Sequence, residues 1–292
     1  VNNAESLIAT VSVTNADTGH YVATGDFADV DIAADTDADI EVTIGGDTTV
    51  TTTGAADDLT VHGGGFDVTI DASAATEDLV VDGAVDATIT AASIAGNVTV
   101  TTSNDVTLTD VSAATGNLVV NAGRDVDVTD ASAIEGDVTI TAGRDVGSMT
   151  ATAAEGTVTI TAQGAITLTN ATAAATVVLD NTGAEAGDAI VVTNANSAES
   201  VTITSVGAVT ATANTGLAAA ETITVTAAAD SAITADSTTL AQAITLNAAE
   251  PDGDAITFTL AADDVETLHL GGSSPVIVSI DAADLSTESV TS

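Results

Sequence analysis

From Val98 to Leu168 the chain repeats itself every 20 residues, and each repeat opens two strands. The openings are Val98-Thr-Val-Thr, Val106-Thr-Leu-Thr, Leu118-Val-Val-Asn and Val126-Asp-Val-Thr, followed by Val138-Thr-Ile-Thr, Val146-Gly-Ser-Met, Val158-Thr-Ile-Thr and Ile166-Thr-Leu-Thr. Their starts step by 8 and 12 residues in strict alternation. Neither interval leaves room for a helical crossover, so equivalent strands must stack in parallel, coil on coil, at roughly 4.8 Å per rung. About 12 such coils are expected along the chain, an array in which each coil touches only its neighbours.

Within each opening apolar and polar residues alternate, the period of a strand buried on one face. Val98, Val100, Val106, Leu108, Leu118, Val120, Val126, Val128, Val138, Ile140, Val158, Ile160, Ile166 and Leu168 are the expected core, with Thr, Asp and Asn outside. Ser148 breaks the rule where an apolar residue is due, and Met149 beside it marks an expected bulge. The short corners read Asn121-Ala-Gly-Arg-Asp125 and Thr141-Ala-Gly-Arg-Asp145, where glycine is expected to supply a positive φ. The longer arcs, such as Asp130-Ala-Ser-Ala-Ile-Glu-Gly136, offer Ala and Ile to a third face. The reading is an all-β parallel β-helix, or β-solenoid, with rungs of about 20 residues, two main strands and a short third face per rung.

Composition agrees with a thin core. Apolar residues are 45% of the chain, yet aromatics are only 1%, so Ala, Val, Ile and Leu must fill the interior. Upstream, Ile40, Leu59, Val68 and Leu79 are strand starts at drifting intervals; downstream, strands are expected near Ile190, Val201, Val209, Ile223, Ile233, Ile244, Ile256 and Val276. Three stretches follow: residues 1–45, an N-terminal β segment of irregular first rungs; 46–180, the regular solenoid; and 181–292, its less regular continuation.

Charge narrows the function. Asp and Glu number 43 against two basic residues, Arg124 and Arg144, for a formal net charge of -41. Nucleic acid is excluded as a partner, because its phosphates need Lys and Arg. Membrane insertion is not expected, since no apolar run approaches the roughly 18 residues of a spanning helix. Cations are the natural counterparts of such a surface. With no Cys, disulfides and thiolate metal sites are ruled out.

Leu118 to Ala171 resembles the twenty-residue repeats of filamentous-haemagglutinin-type secreted adhesins, through Val138-Thr-Ile-Thr-Ala-Gly-Arg-Asp-Val146 and Val158-Thr-Ile-Thr-Ala. That resemblance implies a right-handed parallel β-helix. Ala198-Glu-Ser-Val-Thr-Ile-Thr204 and Val265-Glu-Thr-Leu-His-Leu-Gly-Gly272 resemble segments of bacterial surface-layer and calcium-dependent repeat proteins. Both resemblances imply an exported protein of the bacterial cell surface. His62-Gly-Gly-Gly-Phe-Asp67 is one degenerate copy of a calcium-binding β-roll nonapeptide.

Two acidic clusters are candidate calcium sites, because alternating carboxylates supply the hard oxygen ligands that Ca²⁺ takes. The first is Asp31, Asp35, Asp37, Asp39 and Glu41; the second is Glu250, Asp252 and Asp254. A solvated acidic strand edge is the competing explanation for each. Arg124 and Arg144, one repeat apart, should share a corner and pair with Asp125, Asp127 and Asp145. Thr-x-Thr pairs such as Thr99/Thr101, Thr107/Thr109, Thr139/Thr141, Thr159/Thr161 and Thr167/Thr169 would stack into a grid, the kind of surface that binds ice, though threonine is also simply well suited to exposed strands. His20, His62 and His269 lie far apart with no ligand or triad spacing, and sugar-stacking aromatics and basic residues are scarce, so an enzyme acting on polysaccharide is disfavoured. The expected function is an extracellular structural protein without catalytic activity: a surface-layer or filament subunit, or a segment of a large adhesin. It would bind calcium, associate with itself, and attach to a partner such as cell-surface polysaccharide. The alternative is an ice- or surface-binding module.

Overall fold

The computed structural model describes residues 8–14, 19–33, 38–53, 57–72, 77–90, 94–183, 185, 188–211, 216–219, 221–235, 242–250, 252–262, 265–280 and 289–291. They form an all-β, parallel β-solenoid of about 11 turns with a spacing near 20 residues. The chain divides into two compact units, Val1–Ile140 and Thr141–Ser292.

In the N-terminal unit the strands alternate between two parallel faces. The first face stacks Ile8–Thr14, Phe27–Ala33, Thr48–Thr52, Val68–Asp71, Ala87–Thr90, Val106–Thr109 and Val126–Val128. The second stacks Gly19–Gly25, Ala38–Ile44, Leu59–His62, Leu79–Ala84, Val98–Thr102 and Leu118–Ala122. Register follows the hydrophobic alternation. Ile40, Leu59, Leu79, Val98 and Leu118 form one inward column, coil by coil. Val30, Val50, Ile70, Ile89, Leu108 and Val128 form its counterpart on the first face. All are 0–2% exposed. Each such side chain contributes about 1.5–3 kcal/mol on burial, and a one-residue slip would turn a whole strand's apolar set to solvent.

A short third face begins at Val111–Ala113, which pairs in parallel with Ala131–Ala133. Its alanines are buried, but Ile134, expected to join them, is 52% exposed. The corner glycine also differs from expectation. Gly123 has no positive φ; a Cβ there would run into the carbonyl oxygen of Ser103, one coil earlier. Close stacking, not a left-handed turn, requires that glycine.

In the C-terminal unit one face holds Val146–Ala153, Ile166–Ala173, Ile190–Ser197, Val209–Ala211, Gly216–Ala219, Ser231–Ala235, Ile256–Ala262 and Val276–Ile280. The other holds Val158–Ala162, Thr176–Asp180, Ser200–Thr204, Thr222–Ala227, Gln242–Ala248, Val265–Gly272 and Ser289–Thr291. Pairing is again parallel, but coils lengthen: Thr176 pairs with Ser200 and Ser200 with Thr222, 24 and 22 residues on. The expected bulge is present, since register shifts on both sides of Met149, which is buried and pairs with Leu168. Phe258 is the largest fully buried side chain.

Candidate functional site

The acidic residues are ordered at the corners. A parallel coil that turns between faces leaves backbone N–H groups outside the strand ladders, and each needs an acceptor. In the N-terminal unit that acceptor is the aspartate one coil earlier. Oδ1 of Asp47 accepts the N–H of Asp67 at 3.1 Å, and Asp67 that of Asp86 at 3.3 Å. Asp86 accepts from Asp105 at 3.0 Å, and Asp105 from Asp125 at 3.1 Å. The other corner repeats the device: Asp58 accepts from Asp78 at 3.1 Å, Asp78 from Asn97 at 2.6 Å, Asn97 from Asn117 at 3.0 Å and Asn117 from Asp137 at 2.8 Å. In the C-terminal unit Asp145 accepts the N–H of Ala165 at 2.8 Å.

These columns set two forces against each other. Each bond to a charged acceptor stabilises by about 1.5–3 kcal/mol. Carboxylates one rung apart repel by about 1 kcal/mol per pair even in bulk water, and more near a protein surface. Asn97 and Asn117 keep the acceptor and drop the charge on one column, whereas Asp47, Asp67, Asp86, Asp105 and Asp125 form an unbroken charged run on the other. Arg124 Nε stands 3.7 Å from Asp105, a partner one coil earlier that its sequence neighbours did not suggest. A single half-exposed pair of this kind is worth little.

The first candidate calcium cluster is spread over two faces. Asp31 is exposed on Phe27–Ala33, on the first face, whereas Asp39 and Glu41 lie outward on Ala38–Ile44, on the second. Asp35 and Asp37 lie outside the described residues. In the second cluster Glu250 Oε2 accepts the N–H groups of Asp252 at 2.7 Å and Asp254 at 3.3 Å, around Gly253 with φ of 79°. Glu250 thus organises its own loop, leaving the exposed Asp252 and Asp254 at the surface. Among the described residues no three His, Cys, Asp or Glu side chains form a ready-made metal centre.

Two histidines that looked unrelated in sequence meet on the second face. Glu41 reaches diagonally across the rungs, with Oε2 3.1 Å from His20 Nε2 and Oε1 3.5 Å from His62 Nε2. His62 Nδ1 lies 2.6 Å from Asp82 Oδ1. Spacings of about 20 residues between these positions were the signal available: once a 20-residue coil is known, His62 and Asp82 share a column.

Threonine is ordered most fully on the first face of the N-terminal unit. Thr49, Thr69, Thr88 and Thr107 occupy one column in register, bounded by Asp29 and Asp127. The adjacent column reads Asp31, Thr51, Asp71, Thr90 and Thr109. This array includes Thr107/Thr109 but is otherwise built from residues outside the strictly repeating stretch.

Asp130 is the one acidic group pushed above its ordinary carboxylate value. Partial desolvation at its corner is the main cause and the Asp110 carboxylate the second; a hydrogen bond from the Ala131 backbone opposes them. Asp110 itself is a non-glycine residue at φ 51°.

Compared with protein-family models, with curated proteins and with solved structures, the chain has no match.

Proposed function

We propose that this chain is an extracellular structural protein of the bacterial cell surface, a self-assembling surface-layer or filament subunit or a segment of a large adhesin, stabilised by calcium and without catalytic activity. The observation that carries the reading is the run of stacked carboxylates at the corners. Aspartates fixed by backbone N–H groups one coil apart hold their charges in place, and divalent cations relieve the repulsion that results. A repetitive scaffold with a thin aliphatic core suits mechanical and spacing roles. Association through strand edges is part of the proposal: among the described residues Ile8–Thr14 pairs only with Phe27–Ala33, and Ser289–Thr291 only with Val265–Gly272. Such edges are templates for pairing with another copy. Cell-surface polysaccharide is the proposed attachment partner.

Sedimentation and electron microscopy of the purified chain test this reading in calcium, in chelator, and in chelator with monovalent salt at matched ionic strength. Calcium should give ordered assemblies that chelator dissolves. Restoration by monovalent salt alone would make the charge a general adaptation to salt and remove calcium from the account.

The threonine array supports a second reading, an ice- or surface-binding module. Four rungs of in-register threonines present hydroxyl and methyl groups at a fixed spacing. Thermal hysteresis that Thr69→Lys and Thr88→Lys abolish would favour it; freezing behaviour like that of bovine serum albumin would exclude it.

A further inference from the structure

We propose that His20, Glu41 and His62 bind a borderline transition-metal ion of the Zn²⁺ class, with Asp82 positioning His62. This site is separate from the hard-cation columns, and its chemistry differs from theirs.

The argument starts from the proton on His62. An ionised carboxylate only accepts hydrogen bonds, so at 2.6 Å from Asp82 Oδ1 the His62 Nδ1 must carry the hydrogen. In the neutral ring this leaves a lone pair on Nε2. That lone pair faces Glu41 Oε1 at 3.5 Å, one acceptor against another. The contact is favourable only with a cation between them. The Asp82–His62 pair is also the carboxylate–histidine arrangement that orients a metal-ligating imidazole and raises its basicity.

The spacing fits. Ligands at the usual 2.0–2.1 Å from a tetrahedral Zn²⁺ stand roughly 3.3 Å from one another. Glu41 makes two nitrogen–oxygen edges of about that length, 3.1 Å to His20 and 3.5 Å to His62. The donors are two imidazoles and a carboxylate, the set that suits Zn²⁺, Ni²⁺ or Cu²⁺ better than Ca²⁺. His20 is the adjustable member. Its side chain is 56% exposed, against 32% for Glu41 and 36% for His62, so it can turn to complete the set. On binding, His20 moves its proton from Nε2 to Nδ1, and solvent fills the fourth position.

Isothermal titration of the full chain with Zn²⁺, in excess Ca²⁺ to occupy the hard-oxygen sites, tests the proposal. Cu²⁺ electron paramagnetic resonance reports the ligand nitrogens. One equivalent should bind, with hyperfine coupling from two imidazoles. Binding should be lost in His62→Ala and in Glu41→Gln, and weakened about 10–100-fold in Asp82→Asn. His269 remains in every variant as an internal control. Binding that persists in the His20→Ala/His62→Ala double variant, or carries no nitrogen coupling, overturns the site. So does the absence of binding together with ¹⁵N shifts that show His62 doubly protonated, since a proton would then be the cation facing Glu41.

Discussion

Asp105 shows what a repeated aspartate does in this chain. Its Oδ1 takes the N–H of Asp125, and its own N–H goes to Asp86. Replacing it with alanine removes an acceptor from a half-buried donor and should cost about 1–3 kcal/mol in chemical denaturation. Asp105→Asn keeps the acceptor and sheds charge, so it should be neutral or stabilising at low salt. Equal losses in the two variants would make charge, not hydrogen bonding, the reason for the residue. Asn181 is a buried counterpart, 0% exposed. Its Nδ2 donates to the carbonyls of Gly164 and Asp188, and its Oδ1 accepts from Val206. Asn181→Ala should also cost about 1–3 kcal/mol. Asp130 gives a pH signature with a defined sign. Its carboxyl holds its proton more tightly in the folded state than in the unfolded one, so the ionised group opposes folding. Its contribution is fully present below the ordinary aspartate value near 3.8 and is lost as pH rises through the elevated folded value. Asp130→Asn should raise the melting midpoint at pH 7, and the advantage should vanish below about pH 3.8.

At the scale of the strand, the sequence was most legible where one face is buried. All eight openings from Val98 to Ile166 begin strands, because β-branched and leucine side chains at alternate positions have only one way to turn inward. Strands at Thr48–Thr52, Ala87–Thr90 and Thr176–Asp180 were not legible, since each opens on a residue without a clear apolar signal. Thr48 is nonetheless buried, its hydroxyl donating to the Gly46 carbonyl at 2.9 Å. The corners were legible as turns but not in their chemistry. An Asp before a hydrophobic run reads as a solvated charge until the coil above supplies the N–H it accepts. The histidine cluster was hidden for the same reason, being local only across coils. Stacking has a steric consequence at Gly116, where a Cβ would meet the backbone of Gly96. Gly116→Ala should therefore lower stability by more than the mild gain alanine gives at an unstrained site, and the melting midpoint would report it.

Across the whole molecule, 43 acidic residues against two basic ones make cation binding a condition of stability, whatever the chain attaches to. The sequence carried the sign and size of that charge. It did not carry its arrangement, because the columns exist only once register is set. The central claim, that fixed corner carboxylates are what divalent cations hold together, is tested most directly by replacing one unbroken column. The variant is Asp47→Asn, Asp67→Asn, Asp86→Asn, Asp105→Asn and Asp125→Asn, which preserves every backbone acceptor. The measurement is the melting midpoint as a function of calcium at constant ionic strength. The native chain should gain stability with calcium, and the variant should start higher in chelator and gain much less. An undiminished calcium response in the variant, or none in the native chain, would contradict the account.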